Sequence, residues 1–486
     1  MTAKDKAVKL RKTILSTSDD TNWLEQELKG CKFKDKRLGR RFKHLCKQLW
    51  TGIGETIPFA CQDWSNTKAA YRFLSNDRTD EHQILKGHFQ STQQRFAKTT
   101  GRILVLHDTT EFSYQRNEPE LIGKTKFLPN RLDLFGNLKR ITKCGILMHS
   151  SLAITSDGLP LGLAAIKLWT RKKFKGTNAL KKHINPTRIP IHEKESYRWL
   201  ENIEQSTQRL NDPTRCVHVG DRESDIYELF CMAEHLGTHF LVRTCVDRLA
   251  GDGNHTLADE MDETRVKGLH RIDVQDKKGN TDKAILEIKY RHLRVLPPIG
   301  KQKKYTTLWL TVIHAEERGT PRNRERISWK LITNLPVSSR QEAIEKLNWY
   351  AQRWKIETFH KILKSGCKTE SSKLRTAERL AKLIAVFCIL SWRIFWMTML
   401  NRSCERASPA LALTSTEIIL LDQVTKHKRV SKNKTLSDYL IEIAKLGGYL
   451  ARTSDPPPGN QVMWRGLSRL TDIQFGFNMA MEFVGN

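Results

Sequence analysis

No stretch of this sequence is both apolar enough and long enough to span a bilayer without interruption. The most apolar run, Leu380 to Leu400, is broken by Lys382 and Arg393, so no uncharged segment reaches the ~18 residues a spanning helix needs. A buried core helix is the expectation. Cysteine is present ten times, but never as C-x-x-C, never at regular spacing, and without histidines at zinc-site intervals. No signal-peptide pattern opens the sequence, so reduced thiols in a cytoplasmic setting are expected. Internal repeats and low-complexity tails are also missing. The scarcest commodity is negative charge: 53 acidic residues face 83 Lys and Arg across 486 residues, a net charge of +30 and a pI near 9.8. Such a balance points to a polyanionic partner, above all nucleic acid.

The first ~95 residues read as helical and basic. Lys29 to Lys47 holds nine Lys or Arg against one Asp. Leu38, Phe42, Leu45 and Leu49 recur at helical spacing, so one face packs and the cations point outward. Lys68 to Asn76 begins another helical segment. The period then changes. "RILVLHD", Arg102 to Asp108, reads as a buried strand ending in an acid. Two strands follow, joined by a turn at Ser156-Asp157-Gly158. Next come a basic stretch at Thr170 to Gly176 and a helix around "ESYRWLENIEQSTQRL". "RCVHVGD" is again a strand running into an acid, Asp221. From about 250 to 337 the period is mostly two, with "DKKGN" as a turn. "KHKRVSKNK", Lys426 to Lys434, and "SDPPPGN", Ser454 to Asn460, are loops. The final ~85 residues are helical.

A carboxylate at the end of a buried strand is costly unless solvated, paired or bound to a cation. Two such acids, with a third on a helix, make an oxygen-donor site suited to Mg²⁺, which keeps waters and shares phosphate oxygens. "YAQRWKIETFHKILKSG", Tyr350 to Gly366, supplies the helix. At roughly 100° per residue from Tyr350, Arg353 falls near 300°, Glu357 near 340° and Lys364 near 320°, a stripe about 60° wide. Ile356, Phe359 and Leu363 lie on the opposite, packing side. Tyr350 and Lys364 would be about 21 Å apart, suited to successive phosphates of one strand. On spacing alone, a solvated amphipathic helix remains an equal reading.

These residues resemble the Y-x2-R-x3-E-x6-K signature of bacterial insertion-sequence transposases of the IS-four family, with the Tn-five-type cut-and-paste group the most similar. "HDTTEFSY" resembles the family's first-aspartate motif and "GDRESDIY" its second. "KDKRLGRR", "AAYRFL" and "IAKLGGYL" resemble its N- and C-terminal motifs, so the likeness runs along nearly the whole chain. It implies an α/β fold: a ribonuclease H-like core at 96–400 with a β-rich insertion at about 250–337. A helical domain binding transposon ends would occupy 1–95, and a helical dimerisation domain 401–486.

The resemblance also assigns roles. Asp108, Asp221 and Glu357 would be the catalytic, metal-binding triad, holding two Mg²⁺ for which Mn²⁺ substitutes. Tyr350, Arg353 and Lys364 would hold DNA phosphates. Trp329 would stack on a base flipped out during hairpin formation, with Arg243 nearby. Arg37, Arg41 and Arg72 would contact the transposon end. The implied activity is nicking, hairpin formation and opening, then strand transfer into target DNA. A homodimer pairing two double-stranded ends, at the bacterial nucleoid, is implied too. The span from Asp108 to Asp221 departs from the family pattern, with extra residues around Thr170 to Pro190. Two other readings stay open: a metal-dependent nuclease without strand transfer, and a non-catalytic transposase-derived DNA-binding repressor.

Overall fold

The computed structural model describes residues 23–127, 131–132, 138–139, 142–171, 189–275, 281–403, 407–424 and 434–484. It is a mixed α/β molecule with a helical N-terminal region, a central sheet and C-terminal helices. The expected turn at 276–280, most of the basic stretch at 170–176 and the loop at 426–433 lie outside the described residues.

Among the described residues the N-terminal region holds five helices: α1 (Trp23–Leu28), α2 (Lys36–Thr51), α3 (Ile57–Cys61), α4 (Trp64–Leu74) and α5 (Glu81–Ala97). Asp35 caps α2 by accepting from the Arg37 amide at 2.8 Å, satisfying one of the free N–H groups at a helix start. Leu38, Phe42, Leu45 and Leu49 are all buried, as their period predicts. Asp63 caps α4 through the Asn66 amide. The segment expected to begin a helix at Lys68 is therefore the second half of one that starts at Trp64.

The sheet is built from β1 (Ile103–Gln115), β2 (Lys124–Phe127), β5 (Thr142–Thr155), β6 (Pro160–Trp169), β7 (Cys216–Gly220), β8 (His239–Arg243), β9 (Leu249–Ala250), β10 (His255–Thr256), β11 (Gly268–Gln275), β12 (Thr281–Val295), β13 (Leu308–Glu317) and β14 (Ser328–Thr333). A short separate pair, β3 (Arg131–Leu132) and β4 (Leu138–Lys139), stands apart. Neighbours run β10-β9-β12-β13-β14-β8-β7-β1-β5-β2, with β6 on β5 and β11 on β12. Among the described residues only β1, β7 and β8 pair in parallel. These strands are covered on both faces, which is why their sequences are near-continuous apolar runs. Leu104 and Leu106 enter the main core, whereas Ile103 and Val105 face Phe96 and Leu210 behind the sheet. In β12, Leu286, Ile288 and Tyr290 pack in the main core, whereas Leu293 and Val295 pack in a second one with Trp199 and Phe230.

Helices α6 (Tyr197–Leu210), α7 (Tyr227–Leu236) and α8 (Leu257–Asp262) lie among the strands; α9 (Arg340–Ala351) and α10 (Trp354–Lys361) follow them. Then come α11 (Ala377–Ser403), α12 (Ser415–Val424), α13 (Leu436–Leu446) and α14 (Asn460–Val484). By length and composition α11 could cross a membrane, but 94% of its apolar window is buried inside the fold.

The two cations that interrupt the apolar run are its ties to the flanking regions. Lys382 Nζ donates to the Asn76 carbonyl at 2.7 Å. Arg393, 2% exposed, donates to both Glu417 oxygens at 2.8 and 2.7 Å. Removing one partner of a buried pair strands the other charge. Glu417→Ala should therefore destabilise the fold by about 3–5 kcal/mol, read as a lowered urea midpoint. The double change Arg393→Met with Glu417→Leu should cost less.

Candidate active site

The sequence led us to expect Asp108 at the end of its strand. Instead β1 continues to Gln115, and what ends is its parallel pairing with β7, whose last register pair is Leu106 with Val219. Extending that register puts Asp108 level with Asp221, the residue that follows β7. Asp221 accepts from the Glu223 amide at 2.9 Å and so caps a short 3₁₀ turn. Both aspartates line one cleft of about 510 Å³ with Thr109, Glu111, Arg198 and Glu223. Burial pushes the Asp221 carboxyl above the usual range; the Asp108 charge pushes the same way, and Arg353 and Arg198 oppose them.

The single helix expected from Tyr350 to Gly366 is three pieces. Helix α9 ends at Ala351, α10 starts at Trp354, and a π turn runs over Ile362–Gly366. At the junction the hydrogen bonds tighten to three-residue spacing: Arg353 N donates to Tyr350 O at 3.0 Å and Lys355 N to Gln352 O at 3.0 Å. Tertiary contacts favour this break. Gln352 Nε2 donates to Ser156 O at 2.6 Å and Lys355 Nζ to Gly158 O at 2.7 Å, both in the turn between β5 and β6. Burial pushes the Lys355 ammonium down to about 8.

The break separates the four residues of the predicted polar stripe. Tyr350 is only 6% exposed and packs edge-to-face on Trp329, with ring centres 5.8 Å apart. Arg243 hydrogen-bonds Tyr350 and also donates to Ser328 O at 3.0 Å. Trp329, Arg243 and Tyr350 thus form one cluster where β8 meets β14. Arg353 faces acids: its guanidinium pairs with Glu357 and lies 3.7 Å from Asp108 Oδ1. Glu357 is 53% exposed at its side chain. Lys364 sits in the π turn, its ammonium 5.7 Å from the Phe112 ring centre. Among the described residues, no group of three His, Cys, Asp or Glu side chains is gathered closely enough to hold a cation as it stands.

Arg37 and Arg41 lie on α2 and Arg72 on α4; Arg37 and Arg72 are exposed and Arg41 is half-buried. None of the three belongs to an ion pair among the described residues, which leaves their charge for a partner.

Several site residues escaped the sequence reading. Arg198 Nε donates to Thr109 Oγ1 at 3.1 Å, and its guanidinium pairs with Glu223. Behind the sheet, His107 Nε2 meets His218 Nδ1 at 2.9 Å, Ser151 Oγ meets His107 Nδ1 at 3.0 Å, and His149 Nδ1 meets Thr109 Oγ1 at 2.9 Å. Burial holds all three rings well below the usual histidine range, so they are a neutral hydrogen-bonded layer under the cleft. His360, buried in α10, lies 3.5 Å from Asp108 Oδ2. Its position three residues after Glu357 was a usable signal. Arg198 and His149 come from distant segments and offered none.

A carboxyl whose folded pKa is raised binds protons more tightly folded than unfolded. Its contribution to stability is present at low pH and is lost as pH rises from the ordinary carboxylate range through the raised value. In chelator, Asp221→Asn should therefore raise the melting temperature at pH 7, with the gain vanishing toward pH 3. Asparagine keeps the capping oxygen, so the comparison isolates the charge.

Residues 20–79 match the family model described as Transposase DNA-binding, and residues 205–392 that described as Transposase DDE domain. The first match contains Arg37, Arg41 and Arg72; the second contains Asp221, Trp329, Glu357 and the segment around them, and begins after Asp108. The chain thus joins a segment matching a transposase DNA-binding domain to one matching a transposase DDE domain.

Proposed function

We propose that this protein is a cut-and-paste transposase of the IS-four, Tn-five-like type, acting on the ends of its own insertion sequence. The observation that carries the reading is that Asp108 on β1 stands level with Asp221, the residue just past the adjacent parallel strand β7, in one cleft. The order β6-β5-β1-β7-β8, with β1, β7 and β8 parallel and β5 and β6 antiparallel, supports a ribonuclease H-like core. In this reading the strands from 250 to 337 are an insertion that extends that sheet. The sequence 1–95 grips transposon ends, 96–400 is catalytic, and 401–486 pairs two protomers.

DDE domains generally use divalent metals. Two adjacent carboxylates, one of them half-buried and with its proton affinity raised by burial and by its neighbour's charge, are hard oxygen donors suited to a cation between them, so Asp108 and Asp221 fit Mg²⁺ or Mn²⁺. Glu357 as arranged does not, because Arg353 holds its carboxylate; it joins the set only on release. A bound pair of ions would activate the attacking water or 3′ hydroxyl and stabilise the leaving oxygen of a phosphodiester.

The chain's own residues supply the rest. Arg353 exchanges carboxylates for a DNA phosphate, and Lys364 takes a phosphate farther along the strand. The Trp329–Arg243–Tyr350 cluster receives an extruded base by stacking and a neighbouring phosphate by charge. Arg37, Arg41 and Arg72 hold the end through its backbone, so their contribution falls with added salt. Nicking, hairpin formation, hairpin opening and strand transfer all proceed at the one cleft.

A second reading has one observation in its favour: Glu357 is neutralised by Arg353, as it would be in a silent end-binding protein. A plasmid carrying the gene's own flanking DNA separates the two. Wild-type protein with Mg²⁺ should excise the element and leave hairpin ends. Glu357→Gln should bind the ends with unchanged affinity and give no detectable excision. Wild-type binding without cleavage, even in Mn²⁺, would establish the silent protein.

A further inference from the structure

Helix α10 carries a second polar group aimed at the cleft. His360 lies one helical turn beyond Glu357, on the side that packs against the sheet, and is 5% exposed. Its buried neighbours on the helix, Ile356 and Phe359, are apolar. A polar ring at such a position costs free energy unless its nitrogens find polar neighbours; here one is hydrogen-bonded and the other stands within ion-pair distance of a carboxylate. Nδ1 lies 3.5 Å from Asp108 Oδ2, and Nε2 lies 2.8 Å from Ser150 Oγ. Ser150 is the residue paired with Asp108 across β1 and β5. The ring therefore closes a bridge among three elements: the strand bearing one acid, the next strand, and the helix bearing Glu357.

The chemistry gives the bridge a direction. A carboxylate only accepts hydrogen bonds, so the nitrogen facing Asp108 is the one that carries hydrogen. The other nitrogen then accepts the Ser150 hydroxyl in the neutral ring. With Oδ2 held from behind, Oδ1 is the oxygen turned to the cations of the site; it is the one facing Arg353.

We infer that His360 is a positioning residue: it fixes the Asp108 carboxylate so that one oxygen is presented to a divalent cation, with Ser150 fixing the ring. The inference rests on the reading of Asp108 as a metal ligand. Groups behind a ligand commonly govern affinity by about 10–100-fold, the size of effect assigned here.

The test uses full-length protein bound to its end DNA, with Mn²⁺ affinity read by calorimetry and by the electron paramagnetic resonance signal of free Mn²⁺. Asparagine places a nitrogen where Nδ1 stands; glutamine places one where Nε2 stands. His360→Asn should keep Mn²⁺ affinity close to wild type, and His360→Gln should lose about 10–100-fold while melting and end binding stay as in wild type. Equal losses in the two variants, or no loss in either, would overturn the assignment. Should either variant fail to fold, Ser150→Ala supplies the decision: freeing the ring should weaken Mn²⁺ binding, and unchanged binding would count against the bridge. Asp108→Asn in the same assay separates this inference from its parent. If that change leaves Mn²⁺ affinity intact, the ligand reading of Asp108 fails, whatever His360 does.

Discussion

Two carboxylates placed level with one another in a half-buried cleft repel, and much of the surrounding structure answers that repulsion. The parallel register of β1 on β7 brings Asp108 to Asp221. Burial and the neighbouring charge raise the proton affinity of Asp221. Arg353 and Arg198 oppose the effect from two different helices' ends, and the neutral histidine layer beneath adds no charge of its own. In the proposed function an added cation between the two acids would take up the repulsion that these arginines offset in part.

The junction between α9 and α10 is the second organising feature. A straight helix would have carried Tyr350, Arg353, Glu357 and Lys364 along one edge. Anchoring Gln352 and Lys355 to the β5–β6 turn breaks it, sends Tyr350 into the core beside Trp329, and swings Arg353 onto the acids. The π turn then resets the phase once more before Lys364. Helix breaks and π turns of this kind recur at functional sites, because they aim side chains that regular spacing would disperse. One consequence is that Arg353 faces the carboxylates of Asp108 and Glu357; in the proposed function it would pass from them to a phosphate.

Long-range ties keep these parts in one body. Lys382 and Arg393, which look like flaws in an apolar helix, are where α11 holds the N-terminal region and α12. Strand β12 packs residues into two different cores along its length. Of the cleft residues, Asp108 and Arg198 thereby sit on packed elements, β1 and α6, and Asp221 caps the turn that follows β7, which suits a site whose donors must hold their geometry.

Local pattern determined a good deal on its own. The basic, amphipathic face of α2, the buried strands leading to Asp108 and Asp221, the turn at Ser156–Gly158 and the core helix at Leu380–Leu400 were all legible from period and charge. These properties depend on neighbours within a turn or two, or on a strand's own alternation. What only the tertiary structure decided depends on contacts between distant segments. That Asp108 lies mid-strand follows from the antiparallel pairing of β1 with β5, which runs on to Gln115 after β7 has stopped. That the 350–366 segment is broken follows from a turn nearly two hundred residues earlier. That Arg353 faces acids, and that His360, Ser150 and Arg198 belong to the cleft at all, follows from sheet register and helix docking. No periodicity along the chain encodes these, because the free energy that sets them is gained only when separate elements pack together.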